Sequence, residues 1–233
     1  MRHGQYHAAM HFPFLTDAFL GALEATGASP ARGWGPCHLR DGDAFLPLYA
    51  RNGSRGEYVF DFAWADAYER NGLPYYPKLV TAIPFTPVVG PRWRGHWRPQ
   101  ELWEGVRERV GEQDASGWHL LFPDRPAREA LAGLPLIERQ ACHFRWFNRN
   151  YPDFDAFLGT FNSRKRKSVR RERRRVAEQG LTVERLTGAA IEPRHWRLFY
   201  ECYANTYLVR GQLPYLNEVF FRRLAERLGD QVL

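Results

Sequence analysis

GEYVFDFAWADAYERNGLPYYPKLVTAI, residues 56–83, changes its periodicity twice within one stretch. It opens with strand-like alternation, turns helical after Asp61 and stops at Asn71-Gly72. LVTAI (79–83) then reads as a buried strand bounded by Pro84. Strand and helix alternating at this spacing place the chain in the mixed α/β classes.

The neighbouring segments extend the pattern. Upstream, CHLRDGDAFLPLYA (37–50) sets two short apolar runs around Asp41-Gly42-Asp43, which predicts a hairpin. Further back, Phe12, Leu15, Phe19 and Leu23 recur at helical spacing and stop near Gly27. Downstream, Pro99 fits the first turn of a helix whose apolar face is Leu102, Trp103, Val106 and Val110. WHLLF (118–122) follows as a short buried strand and LIERQACHFRWF (136–147) as another extended run.

Beyond Asn150 the texture becomes helical, with Phe154, Phe157, Leu158 and Phe161 on one stripe and a basic helix that stops at Gly180. LTVERL (181–186) reads as a short strand, Pro193 opens a helix with an aromatic face from Trp196 to Tyr207, and Asn217 caps a last helix carrying Phe220, Phe221, Leu224 and Leu228. Asp230-Gln231-Val232-Leu233 resembles the start of a strand. The apolar stripes of residues 150–233 must therefore pack on the first half or on a further sheet.

Charge is concentrated in RKRKSVRRERRR: nine of the twelve residues 164–175 are Lys or Arg and one is acidic. Set against 33 basic and 26 acidic residues in all, the rest of the chain is near neutral. Such a segment attracts phosphate-rich partners. With 44% hydrophobic and 15% aromatic residues, the 233-residue chain has ample material for a packed core. Cys37, Cys142 and Cys202 form no CxxC, which argues against a disulfide framework or a zinc ribbon and suits a reducing compartment. No apolar run approaches the roughly 18 residues that span a bilayer, and MRHGQYHAAM has no secretion-signal core, so a cytoplasmic location is expected.

The strings FLTDAFLGALEATG (14–27), GWGPCHL (33–39), GEYVFDFAWADAYERNGLPYYPKL (56–79), PFTPVVGPR (84–92) and FNSRKRKSVRRERRRVAEQGL (161–181) resemble the FemAB-like peptidoglycan biosynthesis or recognition group of the GNAT acyltransferase superfamily. The resemblance implies an α/β, mixed-sheet GNAT-like fold, with residues 1–149 as a first domain and 150–233 as the mainly helical opening of a second, truncated one. It further implies transfer of an aminoacyl or acyl group to an amine of a peptidoglycan precursor. Aminoacyl-tRNA or acyl-CoA would serve as donor substrate, with no tightly bound cofactor.

Several residues fit such chemistry. In the basic helix, Arg164, Lys165, Lys167, Arg170 and Arg171 are candidates for holding phosphates of a tRNA or of a nucleotide- or lipid-linked precursor, the last with peripheral membrane contact. The bland alternative is a solvated helix whose like charges are tolerated. Arg92-Trp93-Arg94-Gly95-His96-Trp97 partly matches a CoA pyrophosphate loop, with Arg92 as a substrate-binding candidate, although Trp97 stands where a small residue is needed.

Amine acylation needs a proton acceptor, and Asp61 inside YVFDFAW is one candidate, its pKa expected to rise by desolvation. The commoner use of Asp at such a junction is as a helix cap. Tyr76 is a candidate proton donor, while Tyr75 and Lys78 are candidates to line the acceptor channel, against a plain packing role. Cys37-His38 and Cys142-His143 point to opposite strand faces, so no metal site is expected. His119 and the Trp196–Tyr207 face read as core. A rival reading of the whole chain is recognition of RNA or a cell-wall precursor through the arginine helix, without catalysis.

Overall fold

Helix α1 (Asp17–Ala25) in the computed structural model, which describes residues 12–54 and 57–233, starts where Thr16 Oγ1 accepts the Phe19 N–H at 3.3 Å. The helical spacing from Phe12 is thus divided. Pro13–Leu15 form a separate 3₁₀ turn, closed by the Thr16 hydroxyl donating to Pro13 O at 2.7 Å. Gly56 and MRHGQYHAAM lie outside the described residues.

Strands β1 (Trp34–Pro36), β2 (Leu39–Asp41), β3 (Ala44–Leu46) and β4 (Tyr49–Arg51) follow in quick succession. β2 and β3 form the expected hairpin around Gly42-Asp43, and β1 pairs antiparallel with β4. Helix α2 (Phe62–Arg70) begins directly after Asp61, and its C-terminus meets Asn71 and Gly72, the latter at φ 66°. Residues 57–60, expected as strand, form bends at 57–59 and an irregular link at Phe60 instead. Glu57 and Asp61 are both drawn inward to Lys78, and Tyr58 takes φ 65°, which no ladder accommodates.

β5 (Lys78–Thr81) lies between β4, antiparallel, and β6 (Trp118–Leu120), parallel, giving a four-stranded mixed sheet of order β1-β4-β5-β6. α3 (Pro99–Glu112) makes the crossover from β5 to β6, with α4 (Arg125–Leu131) after it. Every residue of β5 is buried, as a strand covered on both faces requires. Leu79 joins Leu46, Leu48, Leu102 and Val106 in one core cluster, while Val80 joins Trp34 and Tyr49 in another. WHLLF is only half-buried, because β6 is the edge of this sheet.

RWRGHW pairs rather than cradles. Phe45 and Arg94 exchange both backbone hydrogen bonds, at 3.0 and 2.9 Å, and the Arg94 guanidinium reaches Asp17 at 2.6 Å. Gly95 has φ 71°, and a Cβ there would lie 2.6 Å from Ala44 Cα. Gly95→Ala is expected to cost about 2–3 kcal/mol of stability, read from the urea midpoint, since strain and overlap both oppose it.

Helices α5 (Phe154–Gly159), α6 (Ser163–Glu178), α7 (Pro193–Leu208) and α8 (Glu218–Leu228) complete the set, with a 3₁₀ turn at Gly229–Gln231 where a strand start was expected. By packing, the chain forms two units: the chain to Glu138 together with Thr187–Leu233, and Arg139–Leu186. In the first, α8 packs on α1, with Phe19 and Phe220 edge to face at 5.7 Å, so α7 and α8 belong with the sheet. Asn217 caps α8 as expected and also donates to Thr26 O at 2.8 Å.

In the second unit, Trp146, Tyr151, Phe154 and Phe161 gather around Phe157 of α5 in one aromatic cluster. The extended runs 136–147 and 181–186 make no ladder among the described residues, and Phe144 (92% exposed) and Val183 (88%) lie open to solvent.

Candidate functional site

β4 and β5 place Arg51 directly opposite Lys78, two cations in register. Like charges so placed repel, and both are buried, so the pairing requires a counter-charge. Glu57 supplies it, with Oε1 accepting from Arg51 Nε at 2.9 Å and Oε2 from Lys78 Nζ at 3.2 Å. Asp61 adds a second carboxylate, whose Oδ2 accepts from Lys78 Nζ and from the Tyr75 hydroxyl at 2.6 Å. The result is a balanced quartet with side chains between 1% and 9% exposed.

The surroundings hold the quartet in place. Arg51 donates to Arg32 O at 2.7 Å and lies over the Trp34 ring at 4.5 Å. Ser116 Oγ donates to Tyr75 O at 2.6 Å, and the His119 ring meets Tyr75 edge to face at 6.2 Å. Tyr76 donates its hydroxyl to Ser54 O at 2.7 Å. Asp61, Tyr75 and Lys78 are therefore brought together as the sequence suggested, with Tyr76 beside them.

Two expectations for Asp61 change. It occupies the N-cap position of α2 but makes no side-chain cap: Oδ2 is committed to Lys78 and Tyr75, and Oδ1 meets no backbone N–H. Burial acts to raise its pKa, yet the hydrogen bonds from Lys78 and Tyr75 and the charges of Lys78 and His119 prevail and hold it below the ordinary Asp value. Glu57 follows the same logic: burial opposes ionisation, and Lys78 with Arg51 and Ser54 outweighs it. Tyr75 is pushed far up by burial and by Asp61, so it stays a proton-bearing donor.

Folded carboxyls with lowered pKa values contribute stability that is complete above the ordinary carboxylate range and is lost as pH falls through the folded values. The urea midpoint is thus expected to stay flat from pH 7 to about 5 and to fall below about pH 4. A Lys78→Met variant should show a shallower fall over the same range.

Arg92 sits apart from this quartet. It is 1% exposed and its guanidinium donates to the carbonyls of Leu121 (2.7 Å), Phe122 (2.8 Å) and Val88, with burial bringing its pKa down to about 10. Its donors are spent on clamping two loops together, in place of the phosphate contact expected for it.

The basic run forms α6, which Asn162 caps by accepting the Lys165 N–H at 2.9 Å. Its charges divide by face. Arg166 donates to Phe161 O at 3.1 Å, in the turn before α6, while Arg170 pairs with Asp155 at 2.8 Å and Arg173 lies over the Phe154 ring at 4.2 Å, both on α5. Arg164, Lys167, Arg171, Arg174 and Arg175 form the other stripe, exposed and unpaired with any carboxylate among the described residues. Lys165 is exposed at the stripe's flank. Arg170 is thus engaged within the unit, and Arg174 and Arg175, counted in the basic run but not singled out as candidates, join the exposed stripe. Glu57 and Arg51 were overlooked as well: their tie to Lys78 depends on strand register, which the local pattern does not carry.

Among the described residues no helix is long and apolar enough to cross a membrane. In comparisons with known proteins, a family model described as FemAB-like, peptidoglycan biosynthesis/recognition, matches residues 3–233. No curated protein and no solved structure matches the chain.

Proposed function

The chain belongs to the FemAB-like family of peptidoglycan biosynthesis and recognition proteins, and from that membership we propose an N-acyltransferase that moves an aminoacyl or acyl group onto an amine of a peptidoglycan precursor. The mixed sheet, with its single parallel β5-α3-β6 crossover, is compatible with a GNAT-like first domain. Residues 139–186, which carry α5 and α6 and pack as a unit of their own, are compatible with part of a second such domain, whereas α7 and α8 pack with the first and not with it as the 150–233 boundary expected. A cytoplasmic location goes with this reading, since it is there that such donors are at hand.

The observation that carries the proposal is the division of α6. Arg170 and Arg173 engage α5 and Arg166 the Phe161 carbonyl just after it, and the remaining stripe from Arg164 to Arg174 runs for about 15 Å along the helix. A row of that length addresses several successive phosphates, more than a single pyrophosphate presents. It favours a tRNA donor over a CoA thioester, as does the use of Arg94 and Gly95 in pairing with β3. The test is binding of aminoacyl-tRNA and acetyl-CoA in parallel at two salt concentrations. Salt-sensitive tRNA binding is expected, and preferential acetyl-CoA binding would refute the donor assignment.

One observation favours a second reading, recognition without chemistry. A carboxylate held below its ordinary pKa by Lys78 is a weak proton acceptor, so Asp61 is better suited to anchoring a substrate than to deprotonating it. A precursor bound without turnover in the presence of a charged donor would establish that reading.

A further inference from the structure

We propose that the first turn of α2, together with the second carboxylate oxygen of Asp61, is a docking site for a neutral amide group of a peptide. The inference deepens the acyl-transfer reading by naming where a peptidic acceptor is held, and it rests on that reading for its biological sense.

Asp61 Oδ2 is doubly satisfied, but Oδ1 is buried and has no hydrogen-bond partner. A buried carboxylate oxygen without a donor is costly and calls for one. The backbone next to it has the opposite deficit. Trp64 and Ala65 donate to Asp61 O at 2.9 and 3.1 Å, whereas the N–H groups of Phe62 and Ala63 meet no acceptor among the described residues, and Asp61 does not cap them. One free acceptor thus stands at a helix start with two free donors.

The ligand class follows from that inventory. An anion would suit the N–H groups and be repelled by Oδ1. An ammonium would suit Oδ1, but Arg51 and Lys78 already balance the charges of Glu57 and Asp61, so a further cation would leave water for little gain. An amide carries one donor and one acceptor without net charge and satisfies both. The rings of Phe60 and Phe62, stacked at 5.5 Å and 64% and 47% exposed, offer apolar surface in the same short segment for the groups flanking that amide.

The test is a titration of the full, ¹⁵N-labelled chain with N-acetyl-alanine methylamide, acetate and methylammonium, followed by NMR and with no acyl donor present. Saturable shifts at the Phe62 and Ala63 N–H signals with the uncharged amide alone are expected. Ala63→Pro removes one donor at a helix position that tolerates proline, and should weaken the amide about three- to tenfold while the thermal midpoint is kept. No shift at those signals, equal shifts with either ion, or an undiminished response in a folded Ala63→Pro would overturn the proposal. Should that variant not fold, the wild-type titration decides alone. Because no transfer is required, amide binding without acylation would count against the proposed chemistry and leave this site standing.

Discussion

Replacing Lys78 with Met is expected to lower the unfolding free energy by about 3–5 kcal/mol, measured by urea denaturation at pH 7. The size comes from what is left behind. Glu57 would keep Arg51, but Asp61, a buried carboxylate, would lose the one cation that contacts it and keep the Tyr75 hydroxyl as its hydrogen-bond donor. Adding Asp61→Leu to Lys78→Met removes the stranded charge and should recover a large part of the loss, because a buried pair replaced by apolar groups is often near neutral in stability. If the double variant is no more stable than the single one, the energetic account of the quartet is wrong. The comparison also separates folding from function: the double variant keeps the sheet and loses the oxygen on which the proposed acceptor site depends.

The second large effect concerns α6. Changing Arg164, Lys167, Arg171 and Arg174 together to Ala is expected to reduce the slope of log affinity for tRNA against log salt by about 3, at roughly 0.7–0.9 for each phosphate no longer neutralised. Changing the three inner-face arginines would act differently. Arg166, Arg170 and Arg173 hold Phe161 O, Asp155 and the Phe154 ring, so their loss should loosen the packing of α5 on α6 and leave the salt slope largely intact. Alanine is a strong helix former, so the outer variant should keep its helical circular-dichroism signal. An unchanged slope in the outer variant would make the stripe a merely solvated face.

Elements governed by local chemistry were legible in the sequence. The Asp41-Gly42-Asp43 hairpin, the helix opened by Pro99 and the cap at Asn217 stand where their residues placed them. What depends on distant partners was not. Glu57 reads as part of a strand until Arg51 and Lys78, brought opposite each other by the β4–β5 register, turn it inward. Arg92 reads as a ligand-binding arginine because nothing local reveals the carbonyls of Leu121 and Phe122 around it. The runs 136–147 and 181–186 carry strand-like composition, yet composition supplies no partner strand, and none among the described residues is paired to them.

For the candidate site, type and neighbourhood were visible and roles were not. Asp61, Tyr75 and Lys78 lie close in sequence and do converge, but the direction of the Asp61 pKa turns on Lys78 contacting it, which burial alone does not tell. Helical periodicity shows how the α6 charges divide between two faces. Only the structure shows that α5 occupies one of them.

The most direct test of the central claim is to incubate the full chain with tRNA charged with a radiolabelled amino acid and a soluble peptidoglycan precursor bearing a free amine, and to follow the label. Label passing to the precursor in amide linkage, at a rate that falls with added salt and with the four outer α6 changes, is the predicted result. Label remaining on tRNA while the precursor binds unaltered would contradict acyl transfer and leave recognition as the function.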